Sequence, residues 1–281
     1  MTKEYIKVKD YSVSGETFAL MHHHDLDMLQ TTPQPTLDKL PEYYKSDDYI
    51  SHTASRRNLF EKAYHFVKGF ALKRKLKLVN RFSAGQKIIL DFGCGTGDFL
   101  QTAQRDGWQI SGIEPNESAR TIANAKTDNA VKPAESLFEL TPQSFDVVTL
   151  WHVLEHLPDL EAHICQFKKL LKPDGTLIVA VPNYKSYDAQ HYKKFWAAYD
   201  APRHLWHFSK TSILKLMAKH DMDVVETLPM TFDAYYVSLL SEKYKTGTMH
   251  PLRSFWVAWK SNLKAKRSGE YSSLIYVIKN R

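Results

Sequence analysis

The run LDFGCGTGDFL, residues 90–100, constrains this chain more than any other. A buried apolar strand, KIILDFG, ends there in a turn carrying Gly93, Gly95 and Gly97, and a helix opens directly behind it. Glycines at such a turn let the backbone come close to a ligand where any side chain would collide. Asp91 stands at the mouth of the strand, and Glu114 ends a second apolar strand, WQISGIEP. An acid at that distance suits a nucleotide ribose, whose two hydroxyls it can accept. The order strand, glycine turn, helix, strand, with both acids in place, predicts an open α/β sheet with a nucleoside-type ligand at its edge.

The glycines are spaced G-x-G-x-G rather than the G-x-G-x-x-G that brings a helix N-terminus to a pyrophosphate. An acid two residues ahead of the turn repels a pyrophosphate and suits an ammonium group. In these residues the chain resembles the class I S-adenosylmethionine-dependent methyltransferases. The resemblance implies that Asp91, Gly93, Cys94, Gly95 and Gly97 hold the methionyl and adenosyl parts of S-adenosyl-L-methionine. It places Glu114 and Pro115 at the ribose, Ala134 and Glu135 at the adenine, and Trp151 and His152 beside the reactive methyl. The alternative is an ordinary tight strand-to-helix turn.

The rhythm of the chain carries the fold expectation. Strands are expected at KIILDFG, WQISGIEP, AVKPA, FDVVTLW, GTLIVAVPN, VVETLPM and SSLIYVIKN, with helices between them. This alternation predicts a Rossmann-like, seven-stranded, mostly parallel sheet with helices on both faces. The resemblance adds an antiparallel last strand. Residues 1–57 read as an irregular N-terminal arm, because three prolines break any long helix there and its tyrosines (Tyr43, Tyr44, Tyr49) could pin it across the core. Residues 58–281 read as the methyltransferase domain. Within it, 58–86 is a leading basic helix with Leu59, Ala63, Phe66, Val67 and Phe70 at helical spacing, and 87–182 the cofactor-binding core. Residues 183–208 and 231–270 are helical lid inserts on the substrate side.

Basic residues lie outside that core. Residues 59–87 hold eight basic side chains against one acidic, and residues 243–281 hold nine against one. A solvated helix face or an anionic partner both fit. No run reaches the ~18–20 apolar residues of a membrane span, and no apolar block of a signal peptide opens the chain. The two cysteines, Cys94 and Cys165, fall in the ligand turn and in a helix pattern, which argues against a disulfide and for a cytoplasmic setting. No RNA-binding module or Asn-Pro-Pro-Tyr-type amino-methylation motif is recognisable, which disfavours nucleic acid as a partner. A small-molecule or lipid-like methyl acceptor is the expected partner.

Chemistry is expected after the fourth strand, in LWHVLEHLPD, and in DAPRHLWHFS further on. The first segment resembles methyltransferases near the ubiquinone-biosynthesis O-methyltransferase group. An oxygen acceptor must lose a proton, and histidine is the usual general base. His152, His156, His204 and His207 are candidates, with Glu155 beside them and His156 or His204 preferred. A hydrogen-bonded structural histidine is the alternative for each. His152, Glu155 and His156, with His204 or His207, also resemble the Glu-x-x-Glu-His plus distant His metal set of RNA 3′-terminal 2′-O-methyltransferases. Here His152 replaces a carboxylate, so no metal is the first expectation. His22, His23 and His24 are adjacent, which is poor spacing for chelation. A non-catalytic S-adenosylmethionine-binding protein remains a second functional class.

The insert 231–270 carries Tyr235, Tyr236, Leu239 and Leu240, then Phe255, Trp256 and Trp259 followed by Lys260, Lys264, Lys266 and Arg267. An aromatic face beside lysines suits peripheral membrane contact or entry of an apolar substrate. Packing of a lid helix on the core or on another subunit is the alternative.

Overall fold

A computed structural model of the protein describes residues 2–44, 59–83 and 85–281, with the helical backbone alone over 59–67. The N-terminal segment is an antiparallel meander of β1 (Thr2–Lys9), β2 (Thr17–His23) and β3 (Met28–Thr32). Over the described residues 2–44 this corrects the expectation of an irregular arm, and 45–57 lie outside them. Residues two apart, Phe18 and Leu20 on β2, turn inward and pack with Val8 and Leu29, the period of a half-buried strand. Pro33, Pro35 and Pro41 all follow β3, where they end pairing instead of preventing it. Tyr43 does pin the segment, through its hydroxyl to Glu16 at 2.7 Å. Tyr49 lies outside the described residues.

The remaining elements follow in alternation. They are α1 (Leu59–Arg81), β4 (Ile88–Phe92), α2 (Asp98–Arg105), β5 (Gln109–Ile113), α3 (Glu117–Asn124), β6 (Val131–Lys132) and β7 (Phe145–Trp151). After these come α4 (Leu160–Leu170), β8 (Leu171–Pro182), α5 (Tyr187–Tyr192), β9 (Trp206–His207), α6 (Lys210–Lys219) and β10 (Met222–Pro229). The chain closes with α7 (Asp233–Thr246), α8 (Pro251–Ser268) and β11 (Ser273–Asn280). Seven of these strands form one sheet in the order β10-β11-β8-β7-β4-β5-β6. β11 runs antiparallel to both neighbours, and the pairs from β8 to β6 are parallel.

Successive residues of the central strands feed opposite faces. Leu90, Val148, Leu150, Leu177 and Val179 pack with Ile164 and Phe167 of α4 and Ile213 and Leu216 of α6. Ile89, Val147, Ile178 and Ala180 pack on the other side with Leu78 and Val79 of α1 and Phe99 and Ala103 of α2. Each such Val, Leu, Ile or Phe side chain taken from water stabilises the fold by ~1.5–3 kcal/mol. On α1 the expected stripe survives only in part. Phe70 is largely exposed, meeting Phe232 edge to face, and the side chains of Leu59, Ala63, Phe66 and Val67 lie outside the described residues.

The insert 183–208 is more than a lid. Its β9 pairs with β3 and so becomes the fourth strand of the N-terminal sheet. Ser209 then opens α6 with a reciprocal cap, its side chain accepting from Ser212 N while Ser212 returns a bond to Ser209 N. The insert 231–270 is helical, as α7 and α8.

Candidate active site

The glycine turn joins β4 to α2. Gly93, Gly95 and Gly97 all have φ between 55° and 75°, a region that favours glycine. A Cβ on Gly93 would sit 2.5 Å from Val153, and one on Gly97 would sit 2.9 Å from Ala123. Gly95 is different, for nothing lies within 4 Å of the space its Cβ would take. Its left-handed backbone faces open room, as a ligand-facing turn requires. The amides of Gly93 and Cys94 donate to Ile113 O at 2.8 and 3.1 Å, and these bonds lock the turn to β5. The Cys94 thiol is pushed up by burial and by the charges of Asp91 and Glu114, so it stays protonated.

Both acids stand where the sequence puts them. Glu114 is buried at the end of β5 and accepts from Gly95 N at 2.8 Å and Asn116 N at 2.9 Å. Burial raises its pKa against those two bonds. Asp91 is buried on β4, and Thr149 Oγ1 donates to it at 2.6 Å. Burial pushes the Asp91 carboxyl up to about 7, opposed by Thr149 and by the Lys75 ammonium. Lys75 itself is held below its ordinary value by burial, and its ammonium lies 4.4 Å from the centre of the Trp151 ring. Pro115 follows Glu114, and its carbonyl accepts from Arg120 at 3.1 Å. Ala134 and Glu135 open a 3-10 turn just after β6, where Glu135 is exposed.

The segment after β7 is tightly folded. His152 has φ 59° and its amide donates to Ala180 O at 2.9 Å. A non-glycine residue held in that region is strained, and such strain gathers at functional sites. The His152 ring points to Asp233 of α7 at 2.9 Å and to Glu155 at 3.5 Å. Burial works against its charge, yet these two carboxylates raise its pKa to about 10. It is therefore a cation at neutral pH, which opposes a proton-accepting role.

Glu155 is fully buried, and neither of its oxygens has a hydrogen-bond partner. Burial pushes its carboxyl up, but the imidazoles of His152, His204 and His156 hold it below its ordinary value. His156 and His204 stack edge to face at 4.6 Å. Each is anchored through Nδ1 to a backbone carbonyl, His156 to Arg203 O and His204 to Ala198 O, both at 2.9 Å. With Nδ1–H donating, the neutral ring would present its lone pair at Nε2, the orientation of a ligand imidazole or a base. Glu155 offers a carboxylate oxygen and His156 and His204 a ring nitrogen each, all within 4.8 Å of one another. Burial and the neighbouring His204 push His156 down to about 4. The Tyr44 hydroxyl also reaches His156 Nδ1, at 2.9 Å.

His207 stands apart from this trio. It is buried and its Nε2 lies 3.0 Å from Thr31 Oγ1, which donates to His204 O at 2.6 Å. Since that hydroxyl hydrogen is used, His207 Nε2–H is the donor, and its role here is structural. The insert clamps the whole turn, with Leu205 N donating to Glu155 O at 2.8 Å and Trp206 Nε1 to Leu157 O at 2.8 Å. Arg203 binds both oxygens of Asp200. His22 pairs with Asp27 and His23 with Gln30, so the adjacent histidines serve β2 and its turn.

Sequence reading missed Thr149, Lys75, Asp233 and Thr31. Thr149 had a signal, since in the parallel register of β4 and β7 it lies directly opposite Asp91. The other three had none, because each reaches the site from a distant segment.

A seven-stranded sheet with an antiparallel β11, a glycine turn after β4 and an acid ending β5 defines the class I S-adenosylmethionine-dependent methyltransferases. Comparison with known proteins agrees: the methyltransferase-domain profile matches residues 63–227, and the chain belongs to that family, whose methyl donor is S-adenosyl-L-methionine. It is similar to the ubiquinone biosynthesis O-methyltransferase of Photobacterium profundum, 33% identical over 110 residues, covering 36% of this chain and 47% of that protein. The protein of the same name from Yersinia enterocolitica is 36% identical over 104 residues, covering 34% and 43%. The matched stretch thus spans less than half the length of either relative. Among solved structures, magnesium protoporphyrin IX methyltransferase from Synechocystis PCC 6803 with bound SAH shares the fold at TM-score 0.57 and 15% identity, over 88% of this chain and 100% of that one.

Proposed function

We propose that this chain methylates an oxygen of a small-molecule or lipid-like acceptor, with the proton removed at the Glu155–His156–His204 cluster. One observation supports the reading: a buried carboxylate without hydrogen bonds, Glu155, lies within 4.8 Å of a ligating nitrogen on each of two imidazoles, His156 and His204. S-adenosyl-L-methionine, when bound, supplies an electrophilic methyl on a sulfonium. Asp91 would then meet its methionyl ammonium, Gly93 to Gly97 would allow close backbone approach, and Glu114 would accept the ribose hydroxyls. The residues after β7 would orient the acceptor in line, which can supply most of the rate. His156 Nε2 then takes the acceptor's hydroxyl proton as the oxygen takes the methyl. The free cysteines Cys94 and Cys165 fit a cytoplasmic setting.

A second form of this reading has Glu155, His156 and His204 hold a divalent ion. The residues fit such an ion: the orphaned Glu155 oxygens gain a partner, and both imidazoles have backbone-oriented Nδ1. The low basicity of His156 also suits a ligand more than a lone base. Two imidazoles with one carboxylate favour zinc, manganese or iron over magnesium. The ion would polarise the acceptor oxygen.

The test is methyl transfer from labelled S-adenosylmethionine to a panel of phenols, catechols and lipid extracts, run before and after chelation with metal analysis. Labelled product that survives chelation supports the base. Product lost on chelation and restored by metal supports the ion. Binding of the cofactor with no product from any acceptor would point to a non-catalytic binding protein.

A further inference from the structure

α8 is built inside out. Its buried positions are Ser254, Ala258, Ser261 and Ala265, a stripe at helical spacing that lets the helix lie close against its neighbours. Its large apolar residues face away. Leu252 is 79% exposed and Trp256 61%, with Trp259, Leu263 and Phe255 also exposed. On a 3.6-residue helix, Leu252, Trp256, Trp259 and Leu263 form one ridge opposite the small-residue stripe. Ordinary amphipathicity is reversed here, since the hydrophobic effect alone would turn this ridge inward.

The charges around the ridge are of one sign. Over Pro251–Ser268 there are five cations, Arg253, Lys260, Lys264, Lys266 and Arg267, and no carboxylate. On a 3.6-residue helix Arg253, Lys260, Lys264 and Arg267 line one side of the ridge and Lys266 the other. Lys260 and Lys264 lie over the Tyr187 ring at 5.4 and 4.0 Å, while Lys266 and Arg267 close the helix.

We propose that the outer face of α8 docks on an anionic lipid bilayer. Tryptophans sit at the headgroup level with their rings in the apolar boundary, and flanking lysines and arginines meet lipid phosphates. A helix lying in the interface plane needs this arrangement of ridge and flanks. Among the described residues no helix is long and apolar enough to cross a membrane, so the contact is peripheral. A second copy is a poor occupant, because a two-fold pairing of this face sets five cations against five. The position of the face gives it a use. Asp233, the first residue of α7, touches His152 at 2.9 Å, and α7 packs along α8 through Tyr235 against Phe255. Docking would hold the acceptor side of the site close to the bilayer. The proposal concerns binding alone and stands whether or not the proton-transfer reading holds.

The full chain is tested by co-sedimentation with phosphatidylglycerol–phosphatidylcholine vesicles and with pure phosphatidylcholine vesicles. Binding is expected on the anionic vesicles at low ionic strength and is expected to weaken with salt. Lys266→Glu with Arg267→Glu should weaken it about tenfold or more. Trp256→Glu with Leu263→Glu should do the same while circular dichroism and adenosylhomocysteine affinity stay unchanged. Brominated acyl chains should quench fluorescence of the native chain, because Trp256 and Trp259 are its two exposed tryptophans. That quenching should be lost in the Trp256→Phe, Trp259→Phe variant, which keeps its apolar ridge. The proposal is overturned by no binding to anionic vesicles, by binding that the substitutions leave unchanged, or by absence of quenching. It is equally overturned if sedimentation velocity finds a dimer, or titration a single-stranded RNA complex, that Trp256→Glu abolishes while vesicle binding persists.

Discussion

After β5, the carboxylate of Glu114 accepts two backbone N–H groups; after β7, the carboxylate of Glu155 accepts none. Both are buried acids just past the C-terminal ends of parallel strands of one sheet, and the difference separates two kinds of site. Glu114 is held by its own neighbourhood, since the turn, Asp91 and Asn116 come from one strand–turn–helix–strand unit. Glu155 is enclosed by parts from afar: His204 from the insert, Tyr44 from the N-terminal segment and Asp233 behind His152 from α7. The first site is complete in its protein partners and open at Gly95 for a ligand. The second keeps a carboxylate that imidazoles face but none hydrogen-bonds, a costly arrangement unless something else meets it.

The most drastic way to break this comparison is Gly97→Val. A β-branched residue at φ 75° with its Cβ 2.9 Å from Ala123 meets both strain and collision, together costing on the order of several kcal/mol. Calorimetry should show adenosylhomocysteine binding lost. Next in size, His156→Ala should lower methyl transfer by about 100- to 10,000-fold with cofactor affinity unchanged. If His156→Ala weakened the cofactor as much as the rate, the two sites would not be separable.

That separation also explains what was legible in the sequence. The seven strands, the glycine turn and both acids were readable because each rests on local pattern: near-continuous apolar runs buried on both faces in β4, β7 and β8, and residues adjacent in the chain. The N-terminal sheet was not, because β1 to β3 become a sheet on an inner core shared with Tyr184, Tyr192 and Trp196 of the insert, and pairing with β9 joins segments far apart. The histidines were nominated by residue type alone. Only tertiary contacts sort them, by giving His152 two carboxylates, His207 a threonine, and His156 and His204 a carbonyl each.

Asp91 sharpens the comparison through pH. Its folded pKa, about 7, lies above its ordinary 3.8. The free folded protein therefore holds a proton that the unfolded chain has released, and stability is lost as pH rises from near 4 to near 7. An ammonium ligand prefers the ionised form, so cofactor affinity should rise over the pH units approaching 7 and level off above it. Asp91→Asn should flatten that profile, weaken binding above pH 7, and leave the free protein more stable there. Isothermal titration and urea unfolding across pH 5 to 8, a range bracketing that value, check both. An affinity profile unchanged by the substitution would remove Asp91 from the cofactor site.

The mildest change tests the assembled site from its far side. Thr31 is fully buried on β3 and touches no residue of the glycine turn; its hydroxyl joins His204 O to His207 Nε2. Thr31→Val keeps the shape and leaves both groups unpaired, at a cost of about 1–3 kcal/mol. His204 loses a backbone anchor, so the methyl-transfer rate should fall a few-fold, about what 1 kcal/mol supplies. Adenosylhomocysteine affinity should not move, and Thr31→Ser should restore both stability and rate. A Thr31→Val protein that is less stable but equally fast would show that the N-terminal sheet supports the fold without positioning His204. One that bound the cofactor less well would show that the two sites are coupled after all.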